Sequence, residues 1–170
     1  MKEKNTPNRR GFIQSSTAAV GGAAVASQLA FPSVTFGVDL AKKFKVGLIG
    51  CGGRGTGAAS QALTADSNTE MWAFADMFPE QIEKTHSILD VKHKGRVNVP
   101  QGRQFTGLNA YQQLLDSGVD IVLIATPPGF RPLHFRAAVD AGVHVFAEKP
   151  VATDAPGVRS VLATNELAKK

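Results

Sequence analysis

The chain has 170 residues, 43% of them hydrophobic, and a formal net charge of +5. That length and apolar content suffice for one domain with a real core, and no apolar run in the body of the chain is long enough to cross a bilayer. Cys51 is the only cysteine, which excludes an intramolecular disulfide.

Residues 1–36 stand apart from the rest. They begin MKEKNTPNRRGFIQ, with Lys2, Lys4, Arg9 and Arg10 against Glu3, and continue into an alanine- and glycine-rich apolar stretch with small residues around Ala24-Val25-Ala26. A charged start, a weakly apolar middle and small residues make an export signal. NRRGFI resembles the twin-arginine pattern S/T-R-R-x-F-L-K, with Asn8, Ile13 and Gln14 as its departures. The expectation is a signal peptide and linker over 1–36, the Tat export machinery as partner, and a periplasmic or otherwise exported protein carried already folded. Without this segment 15 basic and 13 acidic residues remain, a formal +2. No basic face with interleaved aromatics is left, so nucleic acid is not an expected partner.

From Lys45 two periods alternate. Residues 45–50 are a continuous apolar run, the mark of a strand covered on both faces. GTGAASQALTA, 55–65, reads as a helix, and TEMWAFA, 69–75, as a second strand ending at Asp76. Pro79 suits a first helical position, and the following helix carries Ile82, Ile88 and Leu89 at helical spacing. A polar stretch leads to a short strand near 104–106. A helix over 109–117, a buried strand over 119–125 and a helix over 131–141 ending at Gly142 come next. A strand over 143–147 and a last helix from about Asp154, its N-cap, complete the series. Alternation of this kind gives a doubly wound parallel sheet with right-handed crossovers, an α/β fold.

The turn after the first strand reads GCGGRG. Gly50, Gly52 and Gly55 fill G-x-G-x-x-G between a strand and a helix: the first permits the tight turn, the second lets backbone approach a pyrophosphate, the third allows close helix–strand packing. Gly53 and Arg54 lie in the same turn, with Arg54 placed either to contact a phosphate or to lie on the surface. The helix that follows offers its N-terminal N–H groups to phosphate. Asp76, 21 residues beyond Gly55, closes the second strand, where its carboxylate can accept from ribose hydroxyls and would repel a 2′-phosphate. The fold class is therefore Rossmann-type, with NAD favoured over NADP. Cys51 has no base beside it and reads as a packing residue rather than a nucleophile.

Two further stretches fall where the fourth and fifth strands end, IATPPGFRPLH (124–134) and VFAEKPV (145–151). Together with GLIGCGGRG and RPLHFRAAVDAGVHV, they make residues 44–170 resemble the Gfo/Idh/MocA family of glucose–fructose oxidoreductase and inositol dehydrogenase relatives. The resemblance implies that Ala125, Thr126 and Pro127 line the nicotinamide–ribose side of the cofactor. It also implies that Glu148, Lys149 and Pro150 form the family's E-K-P element. Lys149 would be the catalytic group, close to nicotinamide and substrate, where an ammonium can bond a substrate hydroxyl and stabilise an alkoxide. Glu148 would be a cofactor-ribose or structural partner. The family often has Asn after T-P; Pro128 stands there and removes a possible side-chain contact. His134 reads as a packing residue that could reach the site, and His144 as structural. His86 and His93 read as solvated, with no metal site.

The implied function is the nucleotide-binding part of an NAD-dependent oxidoreductase acting on a sugar, cyclitol or polyol. The alternatives are an NAD-dependent glycoside hydrolase of the same family and a non-catalytic dinucleotide-binding module. The family's second α/β domain supplies most of the substrate pocket and usually the acid/base. Neither it nor a sixth strand falls within the residues up to Lys170. Residues 37–170 are thus expected to be an NAD(P)-binding domain incomplete at its C-terminal end and inactive alone. A full-length protein would be homo-oligomeric, and the open strand edge would lower the solubility of this part.

Overall fold

The structure is a computed structural model that describes residues 43–169. The segment expected to be an export signal lies outside the described residues. Within them five strands alternate with helices. They are β1 (Phe44–Ile49), α1 (Gly53–Ala65), β2 (Thr69–Asp76), α2 (Pro79–Lys92), a 3-10 turn (Gln101–Arg103) and β3 (Gln104–Thr106). Then come α3 (Ala110–Asp116), β4 (Ile121–Ile124), α4 (Arg131–Asp140), β5 (His144–Ala147) and α5 (Ala155–Ala168). The strands pair in parallel in the order β3-β2-β1-β4-β5. The first described strand, β1, lies in the middle of the sheet; the path winds outward one way through β2 and β3, then returns to the other side of β1. That reversal between β1 and β4 is the switch point at which such sheets open a crevice beyond the strands' carboxyl ends.

Both faces of β1 are covered, which is why it reads as an unbroken apolar run; on β5 the side bearing His144 and Phe146 stays exposed. On one face Val46, Leu48, Met71, Phe74 and Leu123 pack against Ala58, Ala59 and Leu63 of α1 and Ile82 and Leu89 of α2. On the other, Ile49, Ala73, Ala75, Val122 and Ile124 meet Ala110, Tyr111 and Leu114 of α3 and Ala138 of α4. Helix α5 lies against α4 and buries only Thr164.

Three local readings are corrected. Ile88, expected on the inner stripe of α2, is 44% exposed, because Ile82, Thr85 and Leu89 turn that face inward and leave 88 a hundred degrees away. His93, expected in solvent, is half-buried with its Nε2 2.9 Å from Ser60 Oγ, and burial holds its pKa below the ordinary value. His86 is half-buried too, its ring edge-on to Phe74 at 6.0 Å.

Candidate cofactor site

The glycine turn is shaped by two kinds of glycine. Gly50 has φ +96°, and a Cβ there would come within 2.8 Å of the backbone of Ala125 and Thr126. The turn from β1 is thus pressed against the end of β4. At Gly55 a Cβ would lie 1.9 Å from the carbonyl oxygen of Gly50, so α1 crosses the turn at backbone contact. Gly52 and Gly53 differ: nothing lies within 4 Å of a Cβ at either. Their open side faces a cavity of about 840 Å³. No side chain caps α1, so its first-turn N–H groups and positive dipole end are left for a ligand at the same wall.

Asp76 is half-buried at the end of β2 and lines the same cavity. Its Oδ2 accepts from Cys51 N at 2.6 Å and its Oδ1 from Phe78 N at 3.0 Å. Each carboxylate oxygen spends one lone pair on orientation and keeps another for a hydroxyl donor. Cys51 is buried; its thiol lies 3.7 Å from Ala75 O, and burial, reinforced by the Asp76 charge, pushes its pKa far up. It packs and is no nucleophile.

Ala125, Thr126 and Pro127 form the opposite wall, with Tyr111, Phe130, Arg131 and His134. His134 is 7% exposed, tilted against Tyr111 at 4.6 Å, and its Nδ1 lies 3.1 Å from Thr126 Oγ1. Burial lowers its pKa to about 4, so the ring is neutral at pH 7.

The E-K-P element is divided by the fold. Glu148 is buried and ion-paired with Arg54, whose guanidinium reaches across from the glycine turn. That hydrogen bond holds the Glu148 carboxyl below, and the Arg54 guanidinium above, their ordinary values. Arg54 thus lies at the surface, its side chain 56% exposed, and takes a carboxylate partner there rather than lining the cavity. Lys149, expected inward, is exposed and does not line the cavity. Glu148 extends the β5 ladder by donating its N–H to Ile124 O at 2.9 Å and takes the buried direction, so the next side chain turns away. The bond from Lys149 to Pro150 is cis.

Several lining residues carry no mark in the sequence. Met77, Phe78 and Leu108 are at least half exposed and surround the Asp76 end of the cavity. Large apolar side chains left in solvent beside a carboxylate at two strand ends are what a purine ring would cover. The only available hint is their position directly after the predicted strands. Among the described residues no group of three His, Cys, Asp or Glu could hold a metal ion.

These residues fit a dinucleotide: open backbone at Gly52 and Gly53 for a pyrophosphate, a fixed carboxylate for a ribose, apolar walls at both ends. The comparisons agree. The family model described as "Oxidoreductase family, NAD-binding Rossmann fold" matches residues 44–170. A "Glycosyl hydrolase family 109 protein" of Shewanella pealeana is 31% identical over 128 residues, covering 74% of this chain and 27% of the relative. One of the same name from Shewanella amazonensis is 29% identical, covering 96% of this chain and 38% of the relative. The chain therefore spans between about a quarter and two fifths of these relatives' length. Among solved structures, the WlbA dehydrogenase of Bordetella pertussis, in complex with NADH and UDP-GlcNAcA, is 25% identical with a TM-score of 0.59, covering 76% of this chain and 34% of that one. KijD10, a 3-ketoreductase of Actinomadura kijaniata in complex with NADP and TDP-benzene, is 28% identical at TM-score 0.54, over 74% and 34%. The scyllo-inositol dehydrogenase of Lactobacillus casei shares the fold at 22% identity and TM-score 0.61, over 75% and 34%.

Proposed function

From the premise that this chain belongs to the Gfo/Idh/MocA oxidoreductase family, through its NAD-binding Rossmann domain, we propose that it is the nucleotide-binding part of an NAD-dependent enzyme acting on a sugar, cyclitol or polyol. The bound nicotinamide supplies a hydride acceptor for a substrate C–H bond. The chain's own residues bind and orient. Gly52, Gly53 and the α1 N-terminus receive the pyrophosphate, and Asp76 the adenosine ribose. Ala125, Thr126 and Pro127 wall the nicotinamide–ribose side, and neutral His134 holds the Thr126 hydroxyl in place. Lys149 lies outside the cavity, so no acid–base step is assigned to it. What carries the reading is a single observation: the open glycine backbone, the Asp76 carboxylate and the Thr126 loop share one cavity at the switch point.

Calorimetric titration of the chain with NAD and NADP, beside an Asp76→Asn variant, tests it. Asparagine keeps an oxygen for Cys51 N–H but loses the charge. The expected result is tighter binding of NAD than NADP by the unsubstituted protein, and NAD weakened by about tenfold in the variant with the preference for NAD reduced. A folded protein that binds neither nucleotide would end the proposal.

The relatives named as glycosyl hydrolases favour a second reading, cleavage of a glycosidic bond with no net redox change. The two separate on one measurement in the full-length protein: NADH accumulates with product in the first and stays constant in the second. Tat export rests on residues 1–36 alone.

A further inference from the structure

The guanidinium of Arg131 ties together two loops that are far apart in the chain. Arg131 is the first residue of α4 and is 6% exposed. Its Nε donates to Thr126 O at 2.7 Å, and its Nη1 donates to Glu148 O at 2.6 Å and to Pro150 O. Thr126 follows β4; Glu148 and Pro150 follow β5. Every acceptor is a backbone carbonyl, and the nearest carboxylate, Glu148, is already paired with Arg54. Burial accordingly lowers the Arg131 pKa. A buried cation of this kind costs free energy that an apolar side chain of similar size would avoid. Its contribution lies in geometry: a planar fork with donors at fixed angles holds carbonyls of both loops at once, and it does so on the cavity wall beside Thr126 and His134.

We propose that Arg131 is a positioning residue for the nicotinamide half of the cofactor, setting the separation of the β4 and β5 loops that receive it. The adenosine half lies on the other side of the switch point, against Asp76, Phe78 and Leu108 on the β2 and β3 ends, and Arg131 makes no contact there. The inference rests on the NAD reading and adds a division of labour within the site.

Fragment binding separates positioning from general stability. The unsubstituted chain, Arg131→Lys and Arg131→Met are titrated with NADH, followed by nicotinamide fluorescence, and with ADP, followed by calorimetry. A lysine keeps the charge, but one ammonium cannot reach the carbonyls of both loops. NADH should weaken about tenfold in Arg131→Lys while ADP stays within about twofold, so that the ratio of the two affinities moves. Should Arg131→Met fail to fold, the lysine variant decides alone. Equal weakening of NADH and ADP would assign Arg131 to the scaffold and overturn the positioning role, leaving the cofactor reading intact. Unchanged NADH binding in Arg131→Lys would overturn it as well. Absence of binding of both ligands by the folded unsubstituted chain would overturn the cofactor reading and this inference together.

Discussion

Two glycines of one turn, three residues apart, have opposite requirements. A methyl group at Gly55 would overlap the carbonyl oxygen of Gly50, which is backbone and cannot rotate away. Gly55→Ala should therefore cost at least about 3 kcal/mol, a fall of roughly 10 °C in Tm for a chain of this size. A methyl at Gly52 meets nothing within 4 Å, and the residue has φ −73°, which alanine adopts freely. Gly52→Ala should leave Tm within about 3 °C, since an alanine N-cap in place of glycine costs only about a few tenths of a kcal/mol to 1 kcal/mol. NAD affinity should nonetheless fall about tenfold or more, because the methyl occupies pyrophosphate space. Thermal melts and NAD titrations of the pair check both halves. If Gly52→Ala bound NAD normally, the open side of the turn would not be the phosphate wall.

At the scale of elements, caps and side-chain ties decide where helices stop and start. Asp154 Oδ1 accepts from Gly157 N at 2.7 Å at the start of α5. That helix buries only Thr164, so little packing compensates if the cap goes. Asp154→Ala should cost about 1 kcal/mol and speed amide exchange in the first turn of α5 without changing NAD affinity; unaltered exchange would show that α4 packing alone holds the helix. The cap was readable in the sequence because Asp before a helical stretch is local chemistry. The other end of such accounting was not. The carbonyls left at the end of α1 and in the turn after it, Leu63 and Asp66, are taken by the guanidinium of Arg96, together with Thr69 O. Arg96 comes from a polar stretch whose composition says only that it is a loop. Its three-carbonyl tie appears only once β2 and that loop lie side by side, where Met71 and Val97 form a bridge.

The whole molecule carries a pH dependence set by its site. His134 is neutral and buried, with a pKa of about 4 against an ordinary 6.5. Its folded value is depressed, so the unfolded chain takes up a proton as pH falls through 6.5 while the native chain does not until about 4. Stability from this group is complete above pH 6.5, declines between 6.5 and 4, and levels off below, a loss on the order of 3 kcal/mol at most. Glu148, held low by Arg54, acts in the same direction as pH falls. Comparison with His134→Gln isolates the histidine: urea midpoints at pH 7 and pH 4.5 should differ more in the unsubstituted chain than in the variant. Equal differences would mean that the ring is protonated in the native state.

The order of elements, the strand–glycine–helix unit, Asp76 at a strand end and the Asp154 cap followed from the sequence alone. Each depends on residues within a few positions of one another, where hydrophobic period and turn chemistry act directly. The parallel sheet with right-handed crossovers was also expected from the alternation of elements, but the order β3-β2-β1-β4-β5 came from the structure. Only the tertiary structure decided which side chains share the cavity. Gly50 meets Ala125, Arg54 meets Glu148, and Arg131 joins the ends of β4 and β5, all contacts between segments distant in the chain. Lys149 turns outward because Glu148 takes the inward direction; Phe78 and Leu108 gather around Asp76 because β3 pairs with β2. The direction of a side chain at a strand end depends on the neighbour it pairs with, and that neighbour is a property of the folded sheet.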